Sequence, residues 1–190
     1  MNKLASRDFG DRIGSDLRAL RKKRGVTISD LADRLDRSTG WLSQIERGIS
    51  QPSIDDLRAI AGALGFPVSI LFGEADAAPD EAGFVVRARN RRKISGGEGL
   101  TEQLLSPDLT DDFEVVHSVF APGARLDGVR IRQTQELGYL VSGRLDVQIA
   151  GREFTIQAGD SFRIRGDAYS WANPYDDPAV AIWVIAPPVY

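Results

Sequence analysis

The hydrophobic period of this chain changes once along its length. Up to Phe72, apolar residues recur at helical spacing: Ile13, Leu17 and Leu20, then Leu31 and Leu35, then Leu57, Ile60, Ala61 and Leu64. From Phe84 onward the apolar runs are short or alternating, over 113–121, 137–141, 145–149, 154–156 and 180–185. They are separated by Pro122-Gly123, Ser142-Gly143, Ala150-Gly151, Gly159-Asp160 and Asn173-Pro174, which are turn sequences. A 3.6-residue period and a two-residue period bury their apolar faces in different ways, so two modules are expected. Between them, residues 73–83 are small, acidic, bounded by glycine and contain Pro79, which is linker composition. The division expected is therefore a helical module over 1–72, a linker over 73–83 and an all-β module over 84–190.

Cysteine is absent and His117 is the one histidine among 190 residues. Disulfides, iron–sulfur clusters and thiol nucleophiles are excluded. One histidine cannot build a zinc or iron(II) oxygenase site within one chain. An all-carboxylate magnesium or calcium site remains arithmetically open. At 42% hydrophobic and 27% charged residues the chain has the composition of a soluble globular protein. No apolar run approaches ~18 residues, so no membrane partner is expected. The opening residues carry no signal-peptide-like apolar segment, and a cytoplasmic location is the expectation. The net charge of −3 hides an asymmetry. Residues 1–72 hold 12 basic and 9 acidic side chains, a balance of +3, so the remainder carries −6. A basic first module on an acidic protein suggests that this module meets a polyanion.

Capping signals place four helices in the first module. One runs from about Arg12 to Lys23, with Gly25 beyond it. Thr27 with Asp30 opens a second, and Ser38 opens a third that stops before Gly48. Ser53 with Asp56 opens a fourth ending at Leu64-Gly65, and a short helix over 68–72 is expected to follow as a fifth. Only Asp36-Arg37 separates the second helix from the third, which is helix-turn-helix geometry. The segment from Ile28 through Leu31-Ala32, Trp41-Leu42-Ser43-Gln44-Ile45-Glu46 and Gly48, with its tail from Pro52-Ser53 to Leu64-Gly65, resembles the lambda-repressor/Cro-like (XRE-type) helix-turn-helix family. The resemblance covers about residues 10–72. It implies base-reading positions at Thr39, Gly40, Ser43 and Gln44, beside the cap Ser38. Gln suits adenine, and Ser or Thr suits either kind of base edge. Gly40 departs from the family's polar reader, so readout would lean on DNA shape. Arg37, Arg47 and the helix start near Ser29 would hold phosphates. The run Arg18 to Arg24 reads either as a DNA patch or as the solvated, cationic end of a helix. Trp41 reads equally as core or as DNA-facing.

In the second module, Gln135 through Gly143, Ala158 through Phe162 and Tyr169 through Asn173 resemble the two motifs of the cupins, which are small double-stranded β-barrels. The resemblance covers roughly residues 113–187. In metal-binding cupins the first motif supplies two histidines and a glutamate, and the second a further histidine. Here those positions hold Arg130, Arg132, Glu136 and Tyr169. A guanidinium has no lone pair to donate and repels a cation, so no metal or other cofactor is expected. Strand parity puts Arg130 and Arg132 on one face, and the resemblance points that face inward. Two readings follow. In one, Arg130, Arg132 and Glu136 close the barrel as a structural ion-pair cluster. Alternatively they bind an anionic or zwitterionic metabolite, with Tyr169, Trp171 and Phe162 as aromatic walls. His117 reads as a core or surface residue, and Asp146, Glu153, Asp160 and Asp167 as solvated.

Together these features predict an α plus all-β, two-domain regulator with no catalytic residue. Its helical domain would bind double-stranded operator DNA. Its barrel would dimerise the chain into a homodimer and bind a small-molecule effector. The resemblance favours repression over activation. The alternatives are a barrel that only dimerises, or a cupin enzyme fused to a DNA-binding domain.

Overall fold

A computed structural model describes residues 3–72, 80, 81, 83–97, 99–107, 109 and 111–189, with side chains described from Arg12 onward and those of residues 95 and 96 set aside. Most of the expected linker lies outside the described residues.

The helical half contains α1 (Lys3–Lys23), α2 (Ile28–Arg34), α3 (Thr39–Glu46) and α4 (Ile54–Leu64), followed by a 3-10 turn at Val68–Leu71. The expected caps are in place. Thr27 and Ser53 each accept a hydrogen bond from the N–H three residues on, and Asp30 and Asp56 answer to the cap N–H groups. Both aspartates are held below the usual carboxylate range, first by the cap hydroxyl and then by the cap N–H. Ser38 accepts from the N–H of Trp41, and Gly65 closes α4 in the left-handed conformation. α1 starts earlier than expected, at Lys3. Gly10 lowers helix propensity there without breaking the helix.

The second half contains β1 (Arg92–Gly97), β2 (Leu100–Leu104), β3 (Glu114–Phe120), β4 (Gln135–Ser142), β5 (Arg144–Ile149), β6 (Arg152–Gln157), β7 (Ser161–Arg165), β8 (Tyr169–Ala172) and β9 (Ala179–Ala186). They form one sheet in the order β1-β2-β3-β9-β4-β7 and another in the order β6-β5-β8, all antiparallel. The two inner faces enclose the apolar core, among them Val116, Phe120, Leu140, Val147, Ile164, Trp171 and Trp183. The expected two-domain, α plus all-β organisation is observed. Ala150 and Gly151, both at positive φ, join β5 to β6 in a tight turn that matches strand twist. Asn173, fully buried, donates to the carbonyls of Phe120, Ala121 and Asp177 at 3.0, 3.2 and 3.0 Å and pins the turn before β9.

The hairpin β1–β2 was not among the expected strands, because Ser95-Gly96-Gly97 reads as a loop. It joins the two halves. Leu104 and Leu109 lie in the same buried cluster as Leu17, Leu20 and Ile70, and Ile94 packs against both cores. The Arg92 guanidinium reaches Asp16 at 2.8 Å and the Ile70 carbonyl at 2.9 Å, and Ser69 donates to the Ile94 carbonyl at 3.1 Å. Lys23 donates to the Asp111 carbonyl.

Candidate DNA-binding surface and barrel site

α3 owes its position to a buried ion pair. Arg21 on α1 and Glu46 on α3 are 8% and 7% exposed. Nε meets Oε1 at 2.6 Å, one terminal nitrogen meets Oε2 at 2.9 Å, and the other donates to the Val26 carbonyl at 2.8 Å. The hydrogen bond to Glu46 holds the guanidinium above its usual range, against the opposing effect of burial. Such a two-pronged pair fixes orientation as well as distance. The reading of residues 18–24 as a solvated helix end is therefore corrected at Arg21. Its charge is inside because a partner 25 residues away satisfies it. Beside it α1 and α3 touch at Gly14, where a Cβ would lie 2.3 Å from the Ile45 carbonyl oxygen.

Anchored in this way, α3 turns its other face outward. Ser29, Arg37, Ser38, Thr39, Gly40, Gln44 and Arg47 are exposed and Ser43 is half-buried. Asp36, at φ 52°, takes the left-handed turn between α2 and α3 that Asp tolerates better than most residues. A Cβ on Gly40 would meet nothing nearer than Ser38 Oγ at 3.9 Å, so packing does not demand glycine there. Ser50 donates to Gln44 Oε1 at 2.8 Å and orients its amide. That oxygen keeps a second lone pair, so bidentate pairing with adenine stays chemically open. Arg47 Nε donates back to the Ser43 carbonyl at 3.2 Å. Arg37 lies 5.2 Å over the Trp41 ring and 3.4 Å from Asp56. Trp41 itself packs against the helical core. A groove of about 650 Å³ beside α3 is lined by Arg18, Lys22, Thr27, Ser43 and Arg47 among others, so part of the basic run borders the same surface.

In the barrel, register sets the inner rows. Ile185 on β9 faces Glu114 on one side and Glu136 on the other, and Glu136 faces Ile164. One step deeper, Val116, Trp183, Gly138 and Phe162 form the next row. Glu136 is 3% exposed. It accepts from Thr134 Oγ1 at 2.7 Å and meets Arg132 at 3.9 Å. Arg130 is exposed and exchanges two backbone hydrogen bonds with Tyr169, at 2.8 and 2.9 Å. Burial first, then Glu136, raises the Tyr169 phenol above its ordinary value, while Arg132 and Arg130 oppose this. Arg130, Arg132, Glu136 and Tyr169 thus converge. Half-buried Phe162 and buried Trp171 make edge contacts with Trp183 and Phe120, centroids 5.1 and 4.7 Å apart.

His117 lies half-buried on the outer face of β3. Burial, then Arg91, lowers its pKa. Glu114, which sequence reasoning did not single out, belongs to the inner face. Every second residue of β3 is buried, yet both faces of the run are apolar, so the pattern alone does not say which side faces in. Among the described residues no three His, Cys, Asp or Glu side chains are grouped to hold a metal ion, and no helix is long and apolar enough to cross a membrane.

Comparison with known proteins agrees with this geometry. Residues 12–69 match the helix-turn-helix domain family and residues 116–185 the cupin domain family. The HTH-type transcriptional regulator PuuR of Escherichia coli (strain K12) is 26% identical over 171 residues, 87% of this chain and 90% of PuuR. The chain is a helix-turn-helix transcription regulator with a C-terminal cupin domain. The regulator's first module is also 42% identical over 62 residues to the immunity repressor protein of Bacillus phage phi105, spanning 33% of this chain and 43% of that protein. An RmlC-like cupin from Shewanella frigidimarina superposes with a TM-score of 0.49 at 22% identity, over 55% of the regulator and 91% of that chain. An HTH_3 family transcriptional regulator from Vibrio cholerae superposes over 95% and 97% with a TM-score of 0.44, also at 22% identity.

Proposed function

We propose that the regulator is a homodimeric repressor that binds operator DNA through α3 and reads a small anionic or zwitterionic effector in its barrel. The outward face of α3 carries the DNA reading. Its polar side chains are exposed while the helix behind them is fixed by a buried ion pair and a side-chain cap. An eight-residue helix reaches few base pairs, so two copies on half-sites about one helical turn apart are needed for specificity. Leu137, Tyr139 and Val141 on the outer face of β4 are about half exposed and flank Val184, an apolar strip suited to the second copy.

The loose contact between Arg132 and Glu136 favours a binding role over a closed structural cluster, since at 3.9 Å the guanidinium keeps most of its capacity to donate. The hairpin β1–β2 supplies the coupling. β2 lies beside β3 of the barrel and carries Leu104 into the helical core. An effector that binds two arrangements of this hairpin unequally would shift the spacing of the paired α3 helices.

Binding to operators selected from fragmented genomic DNA, followed by anisotropy over a salt series, tests the reading. Gln44→Ala is expected to lose about 1–3 kcal/mol of preference at one base pair. Arg37→Ala is expected to weaken all sequences alike and to reduce the salt slope by about one. Equal affinity for every DNA fragment would remove the assignment of α3 as a reader.

A further inference from the structure

The barrel holds one buried group with a function still unassigned. Glu114 opens β3 and is 1% exposed. Its Oε1 accepts from the Val189 N–H at 3.1 Å, whereas Oε2 is buried and accepts no hydrogen bond. Three charged side chains act on it: Glu102 from β2, Glu136 from β4 and Arg132 from the segment before β4. Ser118, fully buried, donates to Glu102 at 3.2 Å. Glu114 and Glu136 therefore share this end of the barrel with the Arg132 guanidinium, Glu102 lies two rows further in opposite Ser118, and a second guanidinium, Arg130, stands on the exposed segment beside Tyr169. The charge runs from acidic inside to basic at the rim.

That polarity decides which end of a ligand goes in. A carboxylate or phosphate pushed past the arginines would meet Glu114 and Glu136, with the Glu102 charge behind them. A protonated primary amine brings three donors and a positive charge, and it supplies what Glu114 Oε2 lacks. A buried acceptor without a donor is costly, so a donor arriving there recovers free energy that a group already satisfied would not return.

We propose that the effector enters ammonium first. Its protonated primary amine sits between Glu114 and Glu136, and its anionic end is held at the rim by Arg132 and Arg130. The inference rests on the barrel being a sensor. It narrows the effector to the amino acid class and makes Glu114 the residue that selects for the amine. Burial, with the neighbouring Glu102 and Glu136 charges, raises the Glu114 carboxyl to about 7. A bound ammonium favours the ionised form, so a ligand that arrives as the ammonium ion drives a proton off Glu114 near pH 6.5.

The probes are straight-chain ω-amino acids from glycine upward, each compared with the carboxylic acid lacking the amine and the alkylamine lacking the carboxylate. Calorimetry on the full-length protein, in buffers of different ionisation enthalpy, reads affinity and proton release together. At least one amino acid is expected to bind, with proton release, and its des-amino partner at least roughly 100-fold more weakly, because Glu114 Oε2 is then left without a donor. Glu114→Gln is expected to weaken the amino acid about tenfold or more and to abolish the proton release. In the wild-type protein the Glu114 carboxyl, followed by 13C NMR, should titrate at lower pH when the amino acid is saturating, a readout independent of any variant. Equal binding of amino acid and des-amino acid, an unaffected Glu114→Gln variant or an unmoved Glu114 midpoint would overturn the ammonium assignment and leave the sensor standing. Failure of every probe to bind would overturn the sensor reading with it.

Discussion

Arg21 and Glu46 are two charges whose value depends on each other. With both present, the desolvation cost is offset by two short charge-assisted bonds and a third to the Val26 carbonyl. With one neutralised, the other is buried without its counter-ion. Glu46→Gln is expected to destabilise the helical half by about 3–5 kcal/mol, measured by urea unfolding, and to loosen α3 enough to weaken DNA binding. Nothing in the local sequence announces the pair, because a run of Arg and Lys at a helix end is most often solvated. Glu114 offers a second test. Its carboxyl is raised from 4.5 to about 7, chiefly by burial, so between those values the folded chain binds more protons than the unfolded one. Stability should therefore fall as pH rises from about 4.5 to 7, by roughly 3 kcal/mol in all. His117, shifted down by burial, works in the opposite direction below its ordinary value. Glu114→Gln isolates the first effect: the wild-type melting temperature should drop relative to the variant's between pH 5 and 8. Parallel pH profiles would contradict it.

At the scale of the element, helices were legible because their ends carry chemistry. Thr27, Ser38, Ser53 and Gly65 each mark a boundary with a specific hydrogen bond or a left-handed backbone. The β1–β2 hairpin was not legible, since Ser95-Gly96-Gly97 lacks both the β-branched residues and the alternation that mark a strand. The cupin resemblance named Arg130, Arg132, Glu136 and Tyr169, which the structure brings near one another, and it named Phe162 and Trp171, whose rings also meet Trp183 and Phe120 edge-on. A strand pattern shows that a residue is buried but not which neighbour it touches. The crossing of α1 and α3 gives a third prediction. Gly14→Ala gains helix propensity of about 1 kcal/mol. Yet its Cβ would stand 2.3 Å from the Ile45 carbonyl oxygen, so the helices must separate. A net loss of stability by thermal melting, with weaker DNA binding, is expected, and an unchanged melting temperature would contradict it.

For the whole molecule, pairing and coupling are separate questions. If the apolar strip on β4 and β9 holds the second copy, Leu137→Glu with Tyr139→Glu should give monomers in sedimentation experiments. The monomers should keep the barrel's melting behaviour but lose most operator affinity. A persistent dimer would move the interface elsewhere. Coupling rests on the hairpin. The composition boundary at 73–83 invites a cut there, as though the halves could be traded between regulators like cassettes. The structure places the natural seam further on. Ile94 and Leu104 of the sheet, with Leu109 beyond it, pack into the helical core, and Arg92 pairs with Asp16 of α1, so a graft made at the compositional boundary would strip that core of its floor. A working chimera should carry residues up to about 112 with its DNA-binding half. Recombination in the lineage of such a protein should then fall after the hairpin, between β2 and β3, and not in the acidic stretch that looks like its hinge.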